Sequence, residues 1–131
     1  GFMFALTHDV RVMREDRGFL CANEMQLGLP IPRPELALFK HKIPANSFFE
    51  TVQLSKRWTG RDALHAGIVQ ELSSFDEMTA VVQRKAEELA PLANNRKNYG
   101  HQKEMLFGER AAINQIDGPA HMLKHSEDFN V

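Results

Sequence analysis

A proline-rich segment, GLPIPRP at residues 28–34, constrains the fold more than any other feature of the sequence. Its three prolines lack backbone N–H donors and restrict φ, so no regular element is expected to continue through the segment. The parts of the chain before and after it must therefore form separate elements. Before it, VRVM at residues 10–13 alternates apolar and basic side chains, and FLCA at residues 19–22 follows a charged turn closed by Gly18. Both patterns predict short strands.

The sequence after the prolines has mainly helical spacing. Apolar residues recur there with the period of a helix that buries one face. A short buried helix is also predicted at the start of the chain, and a third strand, IVQEL at residues 68–72, follows Gly67. The predicted helices are GFMFALTHD at 1–9, ELALFKHKI at 35–43, ANSFFETVQLSKR at 45–57, TGRDALH at 59–65, SSFDEMTAVVQRKAEELAPL at 73–92 and QKEMLFGERAAINQI at 102–116. Together the elements predict a mixed α/β domain.

Three of these helices carry further signals. Thr59 is predicted to cap the helix that follows it, and Asn46 or Ser47 is predicted to cap the helix before. The apolar face of that earlier helix is predicted to comprise Phe48, Phe49, Val52 and Leu54. The most amphipathic helix is the one at 73–92, whose apolar side carries Phe75, Met78, Val81, Val82, Ala86 and Leu89.

Composition excludes several classes of function. The chain has 131 residues, enough for one domain, and its net charge of −1 offers no electrostatic attraction to nucleic acid or to an anionic membrane. No apolar run approaches the roughly 20 residues that a membrane-spanning helix needs. The single cysteine excludes an internal disulfide framework and fits a reducing compartment. The last residues, SEDFNV, carry no peroxisomal targeting tripeptide.

Glu24 is the first candidate for a chemical role. It is the only carboxylate in FLCANEMQLGLPIP, residues 19–32, and follows a predicted strand where functional side chains are frequent. Its apolar neighbours would leave it poorly solvated, which suits a general base. The alternative is a structural carboxylate that caps the loop or pairs with Arg14 or Arg17.

Gly1 is the second candidate. A glycine at the start of a buried helix lets a ligand approach backbone N–H groups at the positive end of the helix dipole, where an oxyanion can be stabilised. A purely structural glycine at a helix start is the alternative. A single glycine does not distinguish the two interpretations.

Other reactive side chains point to structural roles. His121 and His125 have the spacing of two metal ligands on one helix face, but no third ligand accompanies them in a recognisable motif. No metal site is therefore predicted. Cys21 alternates with apolar neighbours and is interpreted as a buried, inert thiol. Asp9 is interpreted as a capping residue where the first helix meets the first strand.

Four motifs occur in an order that resembles one known family. They are GFMFALTHDVRVM, RGFLCANEMQLGLPIP, WTGRDALHAGIVQEL and NYGHQKEML. In this order they resemble the C-terminal half of the crotonase (enoyl-CoA hydratase/isomerase) superfamily, and most of all its eukaryotic enoyl-CoA delta-isomerase-like members. The resemblance implies the C-terminal portion of a ClpP/crotonase-like ββα spiral fold, followed by helices. It assigns residues 1–105 to that half-domain, without the N-terminal spiral, and 106–131 to a terminal helix and a partly disordered tail.

The resemblance also implies roles for single residues. Glu24 matches the acid/base that acts on the α-carbon of an acyl-CoA thioester, and Gly1 matches the last glycine of the cluster that borders the oxyanion hole. The residues expected to line the acyl pocket are Met3, Gly28, Leu29 and Pro30. Coenzyme A is expected only as part of the substrate, with no other cofactor. The full-length protein is expected to form a homotrimer that acts in fatty-acid β-oxidation.

One departure from the family pattern bears on the reaction. Hydratases of the family carry a second Glu, which activates water, at the position of Met3. A thioether cannot accept a proton from water, so the resemblance favours double-bond isomerisation over hydration or dehydration. A third alternative is a non-catalytic fragment that acts as a binding or assembly module, because the expected oxyanion hole and coenzyme A loop are incomplete.

The same incompleteness predicts that the 131 residues fold poorly alone. FMFAL would lose the layer that it packs against and would expose an apolar patch. The compartment stays open among the peroxisome, the mitochondrial matrix and the cytoplasm.

Overall fold

The computed structural model describes residues 1–107 and contains six α-helices and two strands in that range. Short 3-10 helices at Glu24–Leu27 and Ala90–Ala93 complete the described elements. The α-helices are α1 (Phe2–Leu6), α2 (Arg33–Lys42), α3 (Ala45–Val52), α4 (Gly60–His65), α5 (Met78–Leu89) and α6 (Arg96–Phe107). The strands are β1 (Val12–Arg14) and β2 (Glu71–Ser73).

The two strands form a parallel pair, with Val12 opposite Glu71 and Arg14 opposite Ser73. A parallel connection needs a long crossover, which here contains α2, α3 and α4. The strand predicted at 10–13 is confirmed with a small shift. The strand predicted at 68–72 begins later, at Glu71, and is preceded by buried Ile68 and Val69.

The strand predicted at residues 19–22 is wrong. In its place, Leu20 forms an isolated antiparallel bridge with Trp58. The partner segment supplies one bridging residue before α4 begins at Gly60, so the pairing stops after a single step. A short apolar run therefore marks a contact here but not a regular strand.

The core lies where α1 packs against α2 and α2 against α3. Phe2 of α1 meets Phe39 of α2 edge to face, with ring centroids 5.3 Å apart. α2 begins at Arg33, inside the proline-rich segment that was predicted to exclude regular structure. Pro34 is tolerated because it stands in the first turn, where its missing N–H would have no intrahelical partner.

Helix α3 differs from its predicted cap and face. It begins directly after Pro44, whose carbonyl accepts from the amides of Ser47 and Phe48, so neither Asn46 nor Ser47 is the cap. The inward face carries buried Ser47, Thr51 and Val52. Phe49 and Leu54, both predicted to face the core, are 61% and 60% exposed. Helical period identifies a face, but the neighbouring elements decide which residues it buries.

The later helices follow the predicted pattern more closely. Thr59 caps α4, where its hydroxyl oxygen accepts from the amide of Asp62, and Gly67 ends the following turn with a φ of 71°. The amphipathic helix predicted at 73–92 is present as the shorter α5, Met78–Leu89; Phe75 precedes it and is 66% exposed, and no described residue of α5 is buried. α6 starts at Arg96, earlier than predicted. The rest of the predicted terminal helix, the predicted disordered tail and His121 and His125 lie outside the described residues.

Candidate active site

Glu24 opens a short 3-10 helix, Glu24–Leu27, and its position follows from local backbone bonds. The carbonyl of Asn23 accepts from the amides of Gln26 and Leu27 at 3.0 and 3.2 Å. Gly28 then adopts a left-handed φ of 71°, which reverses the chain and lets the amide of Leu29 donate to the Glu24 carbonyl at 2.9 Å. The catalytic candidate is therefore held in a tight, closed turn.

The carboxylate of Glu24 is only partly exposed, and its Oε2 oxygen is buried without a hydrogen-bond donor in the described part of the chain. Buried carboxylate oxygens are normally satisfied, so an unsatisfied one is a candidate for a functional role or for contact with a ligand. Arg14, one of the two predicted partners of Glu24, instead donates to both carboxylate oxygens of Asp16, at 2.9 and 2.6 Å. Glu35 has a buried Oε2 of the same kind.

A cleft of about 370 Å³ lies between the start of α1 and the segment that leads to Glu24. It brings together Gly1 and Asn23, the residue immediately before Glu24. Glu24 itself is not among the lining residues. The cleft is lined by Gly1, Phe2, Phe19, Leu20, Cys21, Asn23 and Arg57.

The four residues predicted for the acyl pocket do not line this cleft. Met3 is half-buried and packs against the hydrophobic core, whereas Gly28, Leu29 and Pro30 are exposed after the 3-10 helix. Their assignment to an acyl pocket stays a prediction, as does that of Gly1 to the border of an oxyanion hole.

Two cleft residues were missed by sequence reasoning. Arg57 reaches the cleft because Trp58, next to it, pairs with Leu20; its guanidinium lies 4.7 Å from the centre of the Phe19 ring. Asn23 belongs to the turn that presents Glu24. No local signal identifies Arg57, since its position depends on a contact between distant segments.

The remaining candidates are placed as follows. Cys21 is half-buried, not buried as predicted; it lines the cleft, and its thiol donates to the Ser55 carbonyl at 3.2 Å. Asp9 does not cap α1; it pairs with Lys103 of α6. Within residues 1–107, no group of three or more His, Cys, Asp or Glu side chains could hold a metal ion. In the same range, no helix is both long and apolar enough to cross a membrane.

Comparison with known proteins decides the family. No family model matches the chain. Over 113 residues it is 34% identical to enoyl-CoA delta isomerase 3 of Arabidopsis thaliana. That alignment covers 83% of this chain and 47% of the relative. Over 116 residues it is 33% identical to the peroxisomal enoyl-CoA delta isomerase 2 of the same plant, covering 86% of this chain and 48% of the relative. The chain thus spans about half the length of the curated relatives it matches.

Superposition on solved structures identifies the same fold. A probable enoyl-CoA hydratase of Mycobacterium tuberculosis superposes with a TM-score of 0.77 at 24% identity, over 98% of this chain and 54% of that one. The human mitochondrial delta3-delta2-enoyl-CoA isomerase superposes with a TM-score of 0.72 at 18% identity, over 94% of this chain and 44% of that one. This chain belongs to the crotonase superfamily. The family membership and the crotonase fold class predicted from the four ordered motifs are therefore confirmed.

Proposed function

We propose that the protein, at its full natural length, is an acyl-CoA isomerase that moves the double bond of a 3-enoyl-CoA to the 2-position. One observation carries the proposal: within residues 1–107 the buried Oε2 oxygen of Glu24 has no hydrogen-bond donor, and Glu24 stands where the resemblance to the family puts its acid/base. The enoyl-CoA delta isomerases among its relatives support the same reaction class.

In the proposed reaction, the Glu24 carboxylate removes a proton from C2 of the acyl group. The electron pair moves into the thioester, which becomes an enolate, and the double bond shifts as the same carboxyl group returns the proton to C4. No water and no electron acceptor are consumed, so one carboxylate suffices. Gly1, which immediately precedes α1, borders the site of the enolate oxygen in this scheme.

Met3 favours isomerisation over hydration in this proposal. It occupies the position at which the family's hydratases carry a second Glu, and it is half-buried against an apolar core. A thioether cannot act as the base that activates water. The expected product is therefore a 2-enoyl-CoA without further conversion to a 3-hydroxyacyl-CoA.

The wider setting is proposed on the same basis. Coenzyme A would arrive as part of the substrate, with no separate cofactor, and the complete protein would assemble as a homotrimer. Relatives whose names specify the peroxisome favour that compartment over the mitochondrial matrix and the cytoplasm.

The decisive experiment replaces Glu24 by Gln in the full-length protein and follows conversion of a 3-enoyl-CoA to the 2-enoyl-CoA by absorbance. Loss of at least about a hundredfold in kcat is expected, the lower end of what a positioned acid/base supplies. Glu35→Gln is a matched control, since Glu35 also has a buried Oε2 that no donor within residues 1–107 reaches. Its kcat should stay close to that of the wild type.

Three outcomes would overturn the assignment. Equal rates in wild type and Glu24→Gln would make Glu24 a structural carboxylate. Absence of activity in both proteins would favour a non-catalytic binding or assembly module. Accumulation of a 3-hydroxyacyl-CoA, detected by chromatography of the products, would replace isomerase by hydratase.

A further inference from the structure

The segment that leads to Glu24 is joined to the segment before α4 by three hydrogen bonds. Leu20 and Trp58 exchange both backbone bonds of their bridge, at 2.9 Å from the Leu20 amide and 2.8 Å from the Trp58 amide. The Cys21 thiol adds a third, to the Ser55 carbonyl at 3.2 Å. Leu20 lies four residues before Glu24, and Leu20 and Cys21 both line the cleft.

The side chain of Trp58 is itself held on α3. The indole is 3% exposed, and its Nε1–H donates to the hydroxyl oxygen of Thr51 at 3.1 Å. Thr51 is fully buried, and its hydroxyl donates in turn to the Ser47 carbonyl at 2.7 Å. Each donor in this buried series of hydrogen bonds therefore has an acceptor, which favours one orientation of the indole.

The outer face of the indole is also held. The Lys56 ammonium lies 4.1 Å from the centre of the indole ring and forms an ion pair with Glu50 of α3 at 2.8 Å. Trp58 is therefore attached to α3 through its side chain and to the segment before Glu24 through its backbone. It connects a helix of the core with one wall of the cleft.

We propose that Trp58 and Thr51 are positioning residues for Glu24. The hydrogen bond between them orients the indole, the indole sets the Trp58 backbone, and the bridge to Leu20 sets the turn that presents the carboxylate. Neither residue touches the substrate in this scheme. The inference rests on the proposed role of Glu24 as acid/base, and it assigns to α3 a part in the reaction that no motif of the sequence indicates.

The test compares Thr51→Val with Thr51→Ser in the full-length protein. Valine keeps the shape of threonine but leaves the indole N–H without an acceptor, whereas serine keeps the hydroxyl. A misplaced base slows proton transfer without weakening substrate binding. A displacement of about 1 Å can lower the rate of that step up to a hundredfold. We expect Thr51→Val to lower kcat about tenfold with KM within about twofold of wild type. Thr51→Ser should restore most of kcat.

Two further variants separate positioning from general destabilisation. Trp58→Phe removes the indole donor and should lower kcat in the same way as Thr51→Val. Ile68→Val truncates a fully buried core residue outside the bridge, so it should lower the thermal midpoint while kcat at 25 °C stays unchanged. Both are compared well below their unfolding temperatures.

The outcomes distinguish this inference from the proposed function. If Glu24→Gln is inactive but Thr51→Val retains wild-type kcat, Glu24 is the base and the positioning role is wrong. A fall in kcat for Ile68→Val as large as that for Thr51→Val would also overturn it. If Glu24→Gln is as active as wild type, the proposed acid/base role of Glu24 is wrong, and the positioning role that rests on it is wrong as well.

Discussion

Lys103 of α6 donates to both carboxylate oxygens of Asp9, at 2.9 and 2.8 Å, although the two residues are 94 positions apart. The hydroxyl of Tyr99 donates to the same carboxylate at 3.1 Å, and the Lys42 ammonium lies 3.6 Å from it. Asp9 therefore connects the end of α1 with α6 and with the last turn of α2. This cluster is a long-range polar contact that attaches α6 to the rest of the described structure.

The Asp9 cluster predicts a dependence of stability on pH. Burial acts to raise the pKa of Asp9, but the hydrogen bonds and positive charge of Lys103, with Tyr99 and Lys42, outweigh it and hold the pKa below the usual 3.8. A lowered carboxyl pKa gives stability that is complete above its unfolded value and is lost as pH falls through the folded value. In urea unfolding of the full-length protein, Asp9→Asn should be less stable than wild type at neutral pH. The difference should disappear in strong acid.

The size and location of that effect are also predicted. The side chains of Lys103 and Asp9 are 40% and 45% exposed, so solvent screens the pair and the loss should stay below about 1 kcal/mol. Hydrogen exchange at neutral pH should show faster exchange in α6 for Asp9→Asn. Asp16→Asn, which breaks only the local pair with Arg14, should leave α6 exchange unchanged. Equal exchange in α6 for wild type and Asp9→Asn would contradict the assigned contact.

Gly60→Ala should destabilise the fold through a steric clash. A Cβ on Gly60 would lie 2.5 Å from the carbonyl oxygen of Arg14 and 3.3 Å from the Cα of Glu15, and backbone atoms cannot move aside as a side chain can. We expect a loss of about 1–3 kcal/mol in the free energy of unfolding, measured with urea.

Gly100→Ala is the matched control for that substitution. Gly100 lies within α6, and a Cβ there meets nothing within 4 Å. Alanine in an open helical position should stabilise by about 0.5–1 kcal/mol. If both alanine variants change the free energy of unfolding in the same direction, the close approach of α4 to β1 at Gly60 is contradicted.

Gly28→Ala should affect both stability and activity. Gly28 has a φ of 71° and open space around it, so alanine introduces backbone strain without a clash, at about 1 kcal/mol. Because Gly28 closes the turn that begins at Glu24, relief of the strain should displace the carboxylate and lower kcat. Enzyme assays and urea unfolding of the full-length protein measure the two effects.

Gly18→Ala separates the two effects of strain. Gly18 has a φ of 90° and is equally free of neighbours, but it lies outside the turn that holds Glu24. The Gly18→Ala variant should lose a similar free energy of unfolding, while its kcat falls less than that of Gly28→Ala. An equal fall in kcat for both variants would mean that the Gly28 turn has no particular role in placing the carboxylate.

Features controlled by neighbouring residues were predictable from the sequence. The cap at Thr59, the turn at Gly67 and the helical character of α5 depend on hydrogen bonds and conformational preferences within a few residues. Glu24 was also identified locally, as the single carboxylate of an apolar run and through its motif. These signals were enough to predict the mixed α/β class and the crotonase family.

Features that depend on distant contacts were not predictable in the same way. FLCA has the composition of a strand, yet only Leu20 meets a partner, because the chain around Trp58 turns directly into α4. Phe49 follows the helical period of α3 but is exposed, since no described element covers that side. Asp9 was predicted to act as a local cap and instead pairs across the fold with Lys103.

The sequence by itself therefore determined the family, most helices and the identity of the candidate base, because propensity, capping and motif spacing act over short stretches of chain. Only the tertiary structure decided the burial of that base and which side chains line the cleft beside it. It buried the Oε2 oxygen of Glu24 with no donor from the described residues, and it brought Arg57 to the cleft that Gly1 lines. The physical reason is that burial and pairing arise from the simultaneous packing of segments that are far apart in sequence, which no local pattern encodes.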